Sequence, residues 1–328
     1  MAQILFDFFN ETHTEWLKSF CAYFRLNEEE VASYFNGVNP DELTPGKLTQ
    51  DLNMNLTDYD SNNLSIICRH MTTASEADKQ SYINRGILDL RRMLQEKTPL
   101  SDFIKTYGIT VNVDNREMFI NQQAYPITSY GEPCEFCFKG RKTPCNAYFK
   151  CEPRKDMEHL GLKLYKYGAT VEFFIHATID EMERYSSIRK CPEVLQTLDQ
   201  IVSGINGFST SAYKMSYDWM RVNNECYILE FPVQLSNMET YAPIDYDRAW
   251  YEIDDCLEQS GYNYDDYYER LIPQNVFDNM VFLRWFISIY FYDSEVLGSL
   301  LPDRGIEPDE IGIIGLNNNK SGLVNCIE

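Results

Sequence analysis

A chain of 328 residues that is 44% hydrophobic and 24% charged can bury a large core and is not a disordered polymer. Lys plus Arg is 29 against 50 Asp plus Glu, a net charge of −21, which sets the chain as a whole against bulk nucleic acid and anionic membranes. The opening MAQILFDFFNETHTEW has no basic segment ahead of an apolar run and does not read as a signal peptide, so a cytoplasmic protein with reduced thiols is expected.

Residues 1–60 read as an N-terminal helical segment, in which EEEVASYF has an acidic first turn and apolar residues at helical spacing. Residues 61–328 read as the main domain, with a zinc-binding insertion at about 131–155. LSIIC (64–68) is a short β-branched run expected as a buried strand, ending at Arg69-His70-Met71-Thr72-Thr73. Thr73 or Ser75 can cap a helix whose first turn holds Glu76 and Asp78 and which stops at Gly86. Two further short helices, LDLRRMLQ and PLSDFIKTYG, follow.

ITVNVDNREMFINQQAYPI (109–127) alternates in period two about Asp114-Asn115 and predicts a hairpin. Past the insertion, TVEFFI predicts a strand, CPEVLQTLDQIVSGI an amphipathic helix, and ECYILEFPVQL another strand. NMVFLRWFISIYFY (279–292) predicts a buried helix; it contains Arg284 and is too short to span a bilayer, so no membrane partner is expected. IGIIGL (311–316) predicts a last strand. Interleaved strands and helices point to an α/β or α+β fold, a mixed sheet with flanking helices.

Cys134, Cys137, Cys145 and Cys151 fall in GEPCEFCFKGRKTPCNAYFKC. A Cys-x2-Cys knuckle followed by two thiolates suits tetrahedral Zn²⁺, and four protein ligands leave no open position, so the expected metal is structural. Free or redox-active thiols are the other reading of the cluster, and His159 is a substitute ligand. Lys139, Arg141, Lys142, Lys150, Arg154 and Lys155 make the loop the one basic island of an acidic chain. That island is a candidate contact for a phosphate-bearing partner, RNA or DNA included; a solvated loop balancing the thiolates fits as well. The other six cysteines sit mostly among apolar neighbours, as small core residues do.

His70 stands at the end of a predicted strand, where a side chain can face a cleft; a structurally satisfied histidine also fits there. The segment LSIICRHMTTASEADKQSYINRGILDL resembles the opening of ADP-ribosyltransferase-like folds. In these a first strand ends in His followed by a small polar residue, and a helix then ends in a Gly-Ile or Gly-Leu turn. The matching positions are His70, Thr72, Ile83, Gly86 and Ile87. The resemblance implies NAD as cofactor, with His70 and Thr72 at the ribose and a Tyr stacked on the nicotinamide. Tyr165 is the candidate for that stack, with Tyr167 beside it. It also implies a late Glu that stabilises positive charge developing on the ribose, for which Glu225 is the candidate and Glu230 the second choice. An ADP-ribosyltransferase or NAD glycohydrolase, acting inside cells as a toxin or defence effector, is the activity so implied.

Residues 245–269 hold nine acidic residues against Arg248, interleaved with Tyr. They either form a solvated helix pair or bind a basic protein by imitating a nucleic-acid backbone. The second option makes the chain a zinc-stabilised acidic interaction protein without catalysis.

Overall fold

The computed structural model describes residues 3–127, 152–166, 170–184, 191–205, 214–222, 225–239, 261–262, 266, 271–302 and 304–316. The fold is α+β, helices with largely antiparallel sheets. The chain divides into two compact units. Unit 1 comprises 1–69, 172–181 and 231–299, and unit 2 comprises 70–171, 182–230 and 300–328. Two strands are cut by this division: β2 (Leu64–Ala74) after Arg69, and β7 (Glu225–Gln234) after Glu230.

In unit 1, β1 (Ile4–Phe6) pairs in parallel with the start of β2, Ile4 opposite Leu64 and Phe6 opposite Ile66. Strand β6 (Glu172–His176) pairs antiparallel with β2 at Arg69 and with the edge strand β8 (Val296–Ser299). Helix α1 (His13–Phe24), α2 (Glu28–Gly37) and α3 (Pro45–Asp51) precede β2. The unit is closed by a 19-residue helix, numbered α11 here (Gln274–Tyr292). Its sequence is apolar nearly all round, which is what a buried helix requires.

Phe286 at its centre stacks on Phe20 at 4.5 Å and meets Phe6, Phe35 and Phe282 at 6.1 Å. A polar side chain, Asn279, is built into this aromatic core. Tyr23 Oη donates to Asn279 Oδ1 at 2.7 Å, and Asn279 Nδ2 donates to the Tyr59 carbonyl at 3.0 Å, so the buried amide is satisfied on both sides. Residues 1–60, expected as a helical segment apart from the main domain, thus share one core with α11 and one sheet with β2.

Unit 2 holds the end of β2, helices α4 (Glu76–Arg85), α5 (Leu90–Gln95) and α6 (Pro99–Lys105), and the strands β3 (Ile109–Asn112), β4 (Glu117–Ile120) and β5 (Gln123–Pro126). The predicted hairpin is a three-stranded meander. Ile120 lies opposite Gln123, and the two residues between them, Asn121 and Gln122, have φ of 49° and 70°. Two positive φ values in a two-residue loop are what a type I′ turn demands. Further on come α7 (Glu152–Gly161), the π-helical turn Leu162–Lys166, α8 (Ile179–Arg184), whose last three residues fall in this unit, α9 (Glu193–Ile205) and α10 (Lys214–Val222).

The core of unit 2 gathers Leu100, Ile104, Met118, Leu160, Leu195 and Trp219 among others. The head of β7 pairs antiparallel with β9 (Gly312–Leu316), Cys226 opposite Leu316 and Glu230 opposite Gly312. Pro232, which cannot donate to a ladder, lies past that paired stretch.

No helix among the described residues is long and apolar enough to cross a membrane. Cys134, Cys137, Cys145 and Cys151, the basic island from Lys139 to Lys150 and all but three residues of the acidic segment 245–269 lie outside the described residues. No metal-binding group of three or more His, Cys, Asp or Glu occurs among the described residues. Cys21, Cys68, Cys191 and Cys226 are buried, as small core residues are.

Candidate functional site

Strand β2 does not end at Cys68. It runs to Ala74, so His70 lies within the strand, where the sequence led us to expect it just past the strand's end. The extension is held by contacts to its polar residues. In unit 2 the buried Thr73 Oγ1 accepts a hydrogen bond from Trp219 Nε1 of α10 at 3.0 Å. In unit 1 the Arg69 guanidinium stacks on the Phe9 ring at 4.1 Å and donates to Asn10 Oδ1 at 3.2 Å.

The strand passes directly into α4. Ser75 is the N-cap: its Oγ accepts from the Asp78 N–H at 3.2 Å, and the Asp78 carboxylate accepts from Ser75 N at 2.9 Å, a reciprocal capping box. Burial pushes the Asp78 carboxyl above its ordinary value, against the lowering effect of the Ser75 hydrogen bonds. Helix α4 stops at Gly86, whose φ of 75° and ψ of −165° belong to a region that side chains avoid. Beyond it Ile87 and Ile306 exchange both backbone hydrogen bonds at 3.0 Å.

Helix α4 meets two neighbouring strands. Tyr82 Oη lies 3.5 Å from Thr72 Oγ1 on β2, and Lys79 Nζ lies 5.6 Å from the centre of the Tyr227 ring on β7. Alternation along a strand puts His70 on the same face as Thr72, and Glu225 on the same face as Tyr227. His70, Thr72 and Glu225 are therefore on the face that α4 covers, while Thr73 and Trp219 belong to the opposite face. Thr72 is 7% exposed, His70 is half-buried and Glu225 is exposed.

The Tyr227 hydroxyl donates to the Glu225 carboxylate. Burial and this carboxylate push the Tyr227 hydroxyl well above its usual range, so it stays a donor at any ordinary pH. Burial pushes the Tyr82 hydroxyl up to about 12, with Thr72 acting in the opposite direction. Beside α4, whose own Tyr82 phenol reaches Thr72, the strands thus carry an imidazole, a threonine hydroxyl and the neutral Tyr227 phenol that holds the exposed Glu225 carboxylate.

Tyr165 has other neighbours. Its hydroxyl donates to the Val113 carbonyl at 2.8 Å, and its ring meets the guanidinium of Arg116 at 4.5 Å and that of Arg91 at 5.9 Å. These contacts tie it to the three-stranded meander and α5, not to β2, α4 or β7. Burial raises its hydroxyl, partly offset by the two arginines. Tyr167 lies outside the described residues. Glu230 sits five residues along β7, opposite Gly312.

The aromatic groups that do stand with Thr72 and Glu225 are Tyr82 and Tyr227, which sequence reasoning passed over. The signal for Tyr227 is its place two residues after Glu225 in an alternating strand. Tyr82 is marked by its place in the last turn of a helix that stops at Gly86.

His176 is buried in unit 1. Its Nδ1 lies 3.1 Å from the Phe8 carbonyl oxygen and its Nε2 2.7 Å from Asp293 Oδ1. Comparison with protein-family models, with curated proteins and with solved structures finds no match.

Proposed function

We propose that the protein uses NAD, as an ADP-ribosyltransferase or NAD glycohydrolase, and that it acts in the cytoplasm as an effector of toxin or defence type. The observation that carries this reading is the carboxylate of Glu225, exposed at the head of β7 and held by Tyr227, on the α4-covered face that also bears Thr72 and His70. The reaction so read breaks the bond between ribose C1′ and the nicotinamide nitrogen. Nicotinamide leaves with the bonding electron pair, positive charge grows on the ribose, and a nucleophile (water or a target side chain) bonds to C1′ and gives up its proton.

A fixed carboxylate favours that charged transition state over the ground state, which is the form of stabilisation that raises kcat. His70 and Thr72 present an imidazole and a hydroxyl, groups that suit a ribose diol. Of the aromatic side chains, Tyr82 and Tyr227 are the ones in contact with Thr72 and Glu225, whereas Tyr165 is engaged with Val113 and two arginines.

Structural zinc held by Cys134, Cys137, Cys145 and Cys151 belongs to the proposal as a staple of the insertion rather than as a participant in the chemistry. The test is NAD consumption by the wild type, His70→Ala and Glu225→Gln, with folding followed by circular dichroism. Removing one such stabilising group typically costs about 10²–10³ in kcat. Folded variants that consume NAD at the wild-type rate would remove the reading.

A further inference from the structure

Helix α4 sets a cation against β7. Lys79 is half-buried, and its Nζ stands 5.6 Å from the centre of the Tyr227 ring, within reach of a cation–π contact. Among the described residues no carboxylate forms an ion pair with it. Carboxylates are plentiful, since the chain holds 50 Asp and Glu against 29 Lys and Arg. The two on its own helix are engaged elsewhere. Glu76 accepts from Gln80 Nε2 at 3.3 Å, and Asp78 closes the capping box with Ser75.

Tyr227 holds two opposite charges apart. Its ring lies under Lys79, and its hydroxyl donates to the Glu225 carboxylate. Tyr227 is buried, and its backbone lies in the paired stretch of β7, opposite Gly315. The separation is therefore set by a buried side chain on a hydrogen-bonded strand. An ammonium and a carboxylate held one phenol apart do not neutralise each other, and each is left to be matched by a group on a ligand. The exposed Glu225 suits positive charge. Lys79 suits an anion, because lysine meets phosphate as a point charge with three donors.

We propose that Lys79 binds the diphosphate of the substrate on which Glu225 acts. The inference rests on the NAD reading of this face and adds the anionic half of the ligand to it. In NAD the nicotinamide is carried by C1′ of a ribose whose C5′ bears the diphosphate. One ribose separates the atom that gains positive charge from the first phosphate, as one phenol separates Glu225 from Lys79. A local cation is also what such a ligand needs, because a net charge of −21 opposes the approach of a diphosphate to the chain as a whole.

Lys79→Met keeps the length of the stem beside the ring and removes the charge, and Lys79→Arg keeps the charge. Circular dichroism checks that both fold. Turnover is measured on NAD and on nicotinamide riboside, which has the same bond from C1′ to nitrogen and no phosphate. Lys79→Met is expected to raise KM for NAD about tenfold or more, the worth of a hydrogen bond to a charged group, with kcat little changed. Its turnover of the riboside is expected to match the wild type, and Lys79→Arg is expected to restore most of the loss on NAD. A lysine with a merely structural role would move both substrates together. A folded Lys79→Met protein that handles NAD as the wild type does, or that loses both substrates alike, overturns the proposal. A wild type that turns over neither compound removes the NAD reading instead, and inorganic pyrophosphate titrated calorimetrically then decides on Lys79. Binding to the wild type that Lys79→Met weakens about tenfold or more supports the anion contact, and binding to neither protein, or to both alike, overturns it.

Discussion

Replacing Gly86 by Ala tests the turn that fixes α4 over the site. At this position an added Cβ would lie 1.7 Å from the Ile306 carbonyl oxygen, which is backbone and cannot rotate away. The φ of 75° with ψ of −165° adds a backbone cost of about 1–3 kcal/mol for a residue with a side chain. Relieving the clash means separating Ile87 from Ile306, which breaks two hydrogen bonds worth about 0.5–1.5 kcal/mol each. The sum is about 2–6 kcal/mol, a large fraction of the stability of an ordinary domain. Urea denaturation reads it as a lower midpoint. Gly37→Ala is the control: nothing lies within 4 Å of its added Cβ, and the residue ends α2 at an ordinary φ, so it is expected to be neutral or mildly stabilising. A Gly86→Ala protein within about 1 kcal/mol of the wild type would refute the reasoning, because no flexible group is available to absorb the contact.

Three further outcomes follow from the same contacts. Trp219→Phe keeps the ring but removes the donor to the buried Thr73 Oγ1, and is expected to cost about 1–2 kcal/mol in the same denaturation assay, whereas Thr73→Val in the Trp219→Phe background recovers part of that loss. The hydrogen bond from Arg92, with Arg85 close by, holds the Glu96 carboxyl below the ordinary glutamate value of about 4.3. A carboxyl lowered in the folded state adds stability that is present above that value and lost as the pH falls through the lower folded value. Glu96→Gln should therefore flatten the loss of stability on acidification below about pH 4.3, and an unchanged acid profile would count against the pairing. Elemental analysis is expected to find one zinc per chain, lost together with thermal stability in Cys134→Ser and Cys137→Ser; a metal-free wild type with all four insertion thiols reactive in the folded state would exclude the zinc site.

Much of unit 2 could be read along the chain because its signals are local. Ser75 is a cap because Asp78 is three residues on, Gly86 is a stop because α4 must turn there, and the alternation in ECYILEFPVQ marks β7 without outside help. The end of β2 could not be read this way. RHMTTA is polar for a strand, and what keeps it extended comes from far away: Trp219, 146 residues later, satisfies Thr73, and Phe9 and Asn10, about sixty residues earlier, receive Arg69. A strand judged by β-branched content alone ends at Cys68.

The same limit applies to the candidate site. Glu225 is marked in the sequence by its place at the head of a strand, whereas His70 and Thr72 are marked by a place just past a strand and by the family resemblance, and fall inside β2 only because of the distant contacts that extend it. Which tyrosines stand near Thr72 and Glu225 is decided by helix α4, which reaches Thr72 through Tyr82 and Tyr227 through Lys79, and no local signal carries that. Tyr165 lies close in sequence to strands and a basic loop, yet its hydroxyl is spent on Val113 and its ring on two arginines.

The central claim is most directly tested by titrating NAD into the folded protein calorimetrically. If His70 holds the ribose and Glu225 acts on charge that exists only in the transition state, His70→Ala should weaken NAD binding at least tenfold. Glu225→Gln should bind NAD about as the wild type does while turning it over about 10²–10³ more slowly. Wild-type protein that binds no NAD, or that binds it equally well without His70, would contradict the account.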